Sequence, residues 1–189
     1  MDRLAVTHQL VYLLAKEKLG RRSLAQRTGL TEMTVRLELE RLRDKRWVTL
    51  AKSGVTLTNS GRKQFAALLA PIKAVQELSL TSLALDEISL AALVSRRGRE
   101  GQPAWWYRDH AVREGASAMV MLRYSTHGWC FAHDMERIGI QNARDERAIE
   151  AAFPDREEED LLIIVSAPDR RRAGLGLWRV ITELLFPSR

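Results

Sequence analysis

The 189-residue sequence carries one cysteine, Cys130, and no stretch approaching 18 uncharged apolar residues. A single cysteine cannot close an internal disulfide, so the fold does not draw on an oxidising compartment. The missing apolar run excludes a membrane-spanning helix, and no membrane partner is expected. Met1-Asp2-Arg3-Leu4 opens an amphipathic pattern where a signal peptide would have a basic flank and an apolar core, which points to a cytoplasmic protein. Also absent are a Walker loop, a Gly-x-Gly-x-x-Gly run, a Ser/His/Asp arrangement and a close carboxylate pair. An enzyme is therefore the weaker class, and no cofactor is expected.

What is present is a foldable, unevenly charged chain. With 46% hydrophobic and 29% charged residues it can bury a core, and its length allows one large domain or two small ones. Residues 1–70 hold 14 Lys and Arg against 6 Asp and Glu, whereas residues 71–189 hold 16 against 18. All the excess positive charge, +8, lies in the first third. A basic module beside a near-neutral one suggests that the first touches a polyanion and the second does something else.

Apolar residues from Leu4 to Ala15 recur at helical spacing, and the spacing predicts a first helix from Leu4 to Leu19, stopped by Gly20. Ser23 is the expected cap of a short second helix ending before Gly29. Thr31 caps a third, to about Lys45, whose Val35, Leu39 and Leu42 form an inward face. Trp47 to Leu50 and Val55 to Thr58 are rich in strand formers, and Lys52-Ser53-Gly54 between them makes a hairpin turn. Thr58 or Asn59 caps a fourth helix with Phe65, Leu68 and Leu69, which Pro71 ends or kinks. Three helices, a hairpin and a closing helix make a winged helix-turn-helix over residues 1–70. The run Ser23-Leu-Ala-Gln-Arg-Thr-Gly29-Leu30-Thr-Glu-Met-Thr-Val35 resembles the signature of prokaryotic winged-helix regulators. Arg46 departs from it, standing where these domains often have glycine.

Residues 71–87, with Leu78, Leu80, Leu83 and Leu85 at no clean period, are read as a helical or irregular connector. Residues 88–189 read as a second domain. Ile88 to Val94 is a strand, Arg96 to Pro103 a loop, Trp106 to Glu114 a helix, and Ala118 to Tyr124 pairs with Trp129 to Ala132. Arg144 to Ala152 is a short helix, Asp155 to Asp160 a solvated acidic run, Leu161 to Val165 a strand buried on both faces, and Asp169 to Phe186 the last helix. The fold class is α+β, with helices over a mainly antiparallel sheet. Arg108-Asp109-His-Ala-Val-Arg-Glu-Gly115-Ala116, with Asp160 to Asp169 later, resembles a family of archaeal two-domain proteins. That resemblance implies a winged helix followed by a C-terminal domain similar to the GAD insert domain of some aminoacyl-tRNA synthetases and amidotransferases.

In such a fold the third helix enters the major groove. Thr31, Met33, Thr34, Arg36 and Leu37 are the candidate base readers, with Arg36 able to take guanine O6 and N7 and Met33 or Leu37 a thymine methyl. Phosphate contacts are expected from Arg21, Arg22, Arg27, Lys52, Arg62 and Lys63, whereas Arg41, Arg43, Lys45 and Arg46 are expected in part to pair with Glu38, Glu40 and Asp44. His127, Cys130 and His133 have zinc-like donors, but on a strand Cys130 points away from the other two, so no metal is expected. Arg108 and Asp109 open one helix, and Asp169 and Arg170 open another just after Ser166; together these five form a candidate site for a small anionic effector. The sequence reads first as a DNA-binding transcriptional regulator, a homodimer on double-stranded DNA. The alternative is an RNA- or protein-binding adaptor associated with translation.

Overall fold

The computed structural model describes residues 2–95 and 102–187. Arg96 to Gly101, the body of the expected loop, lie outside the described residues. Helix α1 (Arg3–Lys16) is capped by Asp2, whose carboxylate accepts the Leu4 N–H at 2.7 Å. It stops three residues before Leu19 because Leu19 is an isolated bridge partner of Val55, with N–H···O bonds of 3.3 and 2.8 Å. Helix α2 (Arg21–Thr28) starts ahead of Ser23: extended Gly20 takes the cap position, and its carbonyl accepts the Leu24 N–H at 3.0 Å. Helix α3 (Glu32–Asp44) follows, with the Thr31 hydroxyl accepting the Thr34 N–H at 3.1 Å and Val35, Leu39 and Leu42 buried as their spacing predicts.

The end of α3 accounts for Arg46. Its N–H donates to the Arg43 carbonyl at 2.7 Å and that of Trp47 to the Leu42 carbonyl at 2.8 Å, so the helix closes in a Schellman stop. This stop holds Arg46 at φ 60°, a conformation that glycine adopts without a Cβ penalty. Strands β1 (Val48–Ala51) and β2 (Gly54–Leu57) form the hairpin, with Lys52 and Ser53 at its tip. Helices α4 (Asn59–Gln64) and α5 (Ala66–Leu69) follow, Thr58 capping the first. Only Ala70 and Pro71 separate α5 from the next strand, and the Pro71 carbonyl already accepts from Ser95.

That strand corrects the connector reading. β3 (Ile72–Leu78) pairs antiparallel with β4 (Ile88–Val94) as the edge of a five-stranded sheet. A register shift between Ile72 and Ala74 and the exposed Gln76 and Glu77 obscure its alternation. Leu78 and Leu83 are buried within the chain, Leu80 packs beside them, and Leu85 stays exposed. The turn after β3 is held by Asp145, which accepts the N–H groups of Thr81, Ser82 and Leu83 at 2.7–2.8 Å. Burial raises the Asp145 carboxyl, but these bonds and the Thr81 hydroxyl outweigh it and hold the group below its ordinary value.

The remaining elements are α6 (Ala104–Arg113), β5 (Ala118–Ser125), β6 (Gly128–Phe131), a short 3-10 helix (Ile138–Ile140), α7 (Ala143–Ala152), β7 (Leu161–Ala167) and α8 (Arg170–Leu185). The sheet order is β3-β4-β7-β5-β6, every neighbour antiparallel. Strand β7 is buried at every position because both faces are covered. Ile163 and Val165 join the core that includes α6 and α8, whereas Leu162 and Ile164 join Trp129, Ile149 and Phe153 on the other side. The class is α+β, as expected, with helices on both faces of the sheet. The acidic run is not wholly solvated: Asp160 is buried and holds Lys73 of β3 at 2.7 Å. No described helix is long and apolar enough to cross a membrane.

Helix α1 packs on α8, so that the winged helix and the sheet share one continuous core. The two helices meet closely at Gly174, where a Cβ would lie 2.6 Å from Gln9 Nε2. Tyr12 and Trp178 rings lie 5.3 Å apart, and buried His8 Nδ1 sits 2.8 Å from the Thr182 hydroxyl. The helix-turn-helix turn abuts the start of α8: Gly29, at φ 71°, would place a Cβ 2.7 Å from the Arg171 amide nitrogen.

Two stability measurements follow. Arg46→Gly removes the left-handed penalty and is expected to raise unfolding stability by about 1 kcal/mol, seen as a higher urea midpoint at unchanged slope. Desolvation, opposed by the nearby Asp2 charge, lowers the His8 pKa to about 4 from 6.5. The unfolded chain therefore binds the proton first, so stability is fully present above pH 6.5 and falls as the pH drops toward 4. At 1.36 kcal/mol per pKa unit the expected loss is about 3 kcal/mol, and His8→Gln should flatten that part of the pH profile.

Candidate nucleic-acid interface

Helix α3 and the hairpin wing face one another across an open groove of about 760 Å³. Arg36, Glu40 and Arg43 form one wall at spacing i, i+4 and i+7, with Leu50 to Val55 of the wing opposite and Gly20, Arg21 and Arg22 at the entrance of α2. Five cations, Arg21, Arg22, Arg36, Arg43 and Lys52, meet two carboxylates there, Glu32 and Glu40. Arg36 donates to Glu40 at 2.8 Å, a hydrogen bond that raises the guanidinium pKa. Arg22 lies 3.7 Å from Glu32, and Arg43 2.9 Å from Asp44. These pairs are exposed to solvent, so each contributes little to stability.

Of the candidate base readers only Arg36 borders the groove; Met33 and Leu37, 60% and 54% exposed, present apolar side chains to water outside it. Thr31 and Thr34 are engaged with each other at 2.9 Å at the start of α3. Of the candidate phosphate contacts, Arg21, Arg22 and Lys52 line the groove. Arg27 does not: it bonds Glu17 and borders a crevice with Tyr12, Glu77 and Trp178, toward the sheet. Arg62 donates to the Ala15 carbonyl at 3.3 Å, closing the C-terminal end of α1, and Lys63 is exposed beside it. Arg43, set aside as a carboxylate partner, borders the groove seven residues after Arg36; that spacing is the signal that could have found it.

The five effector candidates are not drawn onto one another as a single cluster. Helix α6 begins at Ala104 behind Pro103, so Arg108 and Asp109 do not open it; they face each other at 3.6 Å on its exposed side. Proline at the cap position, with φ fixed for a helix entry, starts the helix earlier than its charged residues suggest. Asp169 caps α8 by accepting the Arg172 N–H at 2.8 Å, Ser166 is buried against the Ser89 hydroxyl at 2.9 Å, and Arg170 pairs with Glu77. Cys130 is a buried thiol on β6, and His133 pairs with Asp134 at 2.8 Å. Among the described residues no three potential metal ligands stand together.

A helix-turn-helix with a wing, a cationic groove between them, and an antiparallel sheet sharing the core define the class: a winged-helix DNA-binding fold joined to an α+β domain. Residues 6–72 match the family described as CggR N-terminal DNA binding domain. Over 97 residues, 51% of the chain, the sequence is 36% identical to the central glycolytic genes regulator of Priestia megaterium. Over 169 residues, 88% of the chain, it is 27% identical to the regulator of the same name from Bacillus subtilis. The matched regions span 28% and 45% of those proteins' lengths. A hypothetical protein from Pyrococcus horikoshii OT3 shares the fold, with a TM-score of 0.78, 22% identity, and coverage of 97% of this chain and 93% of that one. The fold of the chain thus has a solved counterpart, and its first third is similar to a known DNA-binding domain.

Arg36→Ala is expected to cost about 1–3 kcal/mol on a preferred site and to relax base choice, whereas Lys52→Ala should weaken all duplexes about equally. Fluorescence anisotropy on a panel of single-base variants reads the difference. Uniform loss in Arg36→Ala would reassign that residue to phosphate contact.

Proposed function

We propose that the protein is a DNA-binding transcriptional regulator, a homodimer that binds double-stranded DNA through its winged helix. The observation that carries this reading is the groove between α3 and the wing, where five cations outnumber two carboxylates. A single module of this size reads a short half-site, and a two-fold pair reads half-sites about 10 bp apart. Exposed Leu85 and Trp105 are the apolar side chains offered to the dimer contact. The C-terminal sheet and its helices, kin to GAD domains and to the archaeal two-domain family on this reading, dimerise and sense a small anionic ligand. A regulator of this kind works in the cytoplasm and needs no catalytic residue of its own.

The test is a salt titration of the full chain on genomic fragments selected with purified protein. Each neutralised phosphate contributes about −0.9 to the slope of log K against log salt, so Arg21, Arg22, Arg43 and Lys52 together give about −4 per bound chain. A slope near zero, or a preference for structured RNA over duplex DNA, overturns the proposal. Sedimentation equilibrium decides the dimer, which a monomer at micromolar concentration would remove.

A further inference from the structure

We infer that the open cavity lined by α1, α3, α5 and α8 is an effector site for a small aromatic carboxylate, and that α3 reports its occupancy to the DNA face. The inference rests on the regulator reading above for its output, though not for its ligand. The cavity holds about 360 Å³, within the range of small-molecule sites. Its wall on α3 is Glu38, Arg41, Leu42 and Lys45, and its wall on α8 is Arg179, Thr182, Glu183 and Phe186. At 100° per residue the α3 set lies about 180° around the helix from Arg36, Glu40 and Arg43, which border the DNA groove. One helix therefore separates the two sites, touching each with an opposite face.

The lining states the ligand's chemistry. Glu38 is buried, accepting from the Thr7 hydroxyl and from Arg41 at 2.8 Å, and Glu183 accepts from Arg179 at 2.6 Å. Both carboxylates are thus matched within the protein and ask for no cationic ligand. Asp2 is also committed, one oxygen to the cap of α1 and the other to Arg179. Arg3 and Lys45 have no carboxylate partner among the described residues, and Lys45 lies 4.6 Å from the centre of the Trp47 ring. Two cations are left to meet an anion at the mouth.

Beside Thr7, His8, Gln64 and Thr182 the wall carries an aromatic and aliphatic surface: Trp47 and Phe65 pack edge to face at 5.2 Å, and Leu4 and Phe186 are 56% and 42% exposed at the opening. A flat apolar body covers these groups, while a carboxylate reaches Lys45 and Arg3. Inorganic phosphate would meet the cations but leave the aromatic walls uncovered. A ligand seated between α3 and α8 adds a bridge from the recognition helix to the C-terminal helix, which is the differential contact that coupling requires.

Calorimetric titration of the full chain with phenylacetate and indole-3-acetate tests the site, with phenylacetamide and inorganic phosphate as controls. Both acids should saturate, the amide should bind at least about tenfold more weakly, and phosphate should not compete. Lys45→Gln should weaken the acids by about tenfold, and Ala67→Trp, an exposed position at the mouth, should abolish binding at an unchanged unfolding midpoint. With the selected DNA fragment, saturating acid should change affinity at least about fivefold in the wild-type chain and not in Ala67→Trp. Failure of both acids to bind, equal binding of the amide, or undiminished binding by folded Ala67→Trp overturns the site. Acid binding that leaves DNA affinity unchanged overturns the coupling. Absence of DNA binding by the untreated chain overturns the regulator reading instead, and the calorimetric arms still decide the cavity.

Discussion

The packing of α1 against α8 is the constraint on which the rest of the molecule depends. Every residue from Ala5 to Tyr12 is buried, polar ones included, so this helix has no solvent face along two turns. A helix of that kind is stable only when it is surrounded, here by the winged-helix core on one side and α8 on the other. Two of its polar members have partners, Thr7 bonding Glu38 and His8 meeting Thr182, whereas Gln9 Oε1 is buried without one. Removing the sheet would leave that surface open to water, and with it the frame that positions α3.

Much of the fold was legible because local chemistry and long-range packing agree. Thr31 before α3, Val35, Leu39 and Leu42 along it, and the apolar run of β7 each state in sequence what the structure does with them. The misreadings fall where a distant partner decides. Leu19 continues a helical period but is drawn out by Val55, and β3 is a strand because β4 offers it a hydrogen-bonding edge, not through any alternation of its own. Even the apolar leucines after β3 owe their burial to Asp145, sixty-odd residues later, which ties down the turn that carries them.

The groove was legible for the same reason as the helices, since Arg21, Arg22, Arg36 and Lys52 belong to elements whose order in a winged helix dictates where they meet. Arg27 and Arg62 were not distinguishable from them by charge alone. Their neighbours, Glu17 and the end of α1, are matters of tertiary geometry. The cluster around Asp169 illustrates the converse: residues that look convergent in a string are each satisfied by a different group. The cavity beneath α3 draws its walls from the two ends of the chain, with Arg3 and Phe186 on one rim, and no local pattern could announce it.

The two-residue junction Ala70-Pro71 has a further consequence. A reading head on a flexible tether can follow its target through changes of helical phase, because the tether absorbs the twist. Here the head is welded to the sheet by a shared core and a junction too short to act as a swivel. For two such chains related by symmetry, inserting one base pair between their targets turns one target about 35° around the duplex axis relative to the other. The protein has no slack with which to follow, so the DNA itself must twist or one head must let go. Phase along the double helix, as much as the identity of the bases, would then define what this molecule recognises.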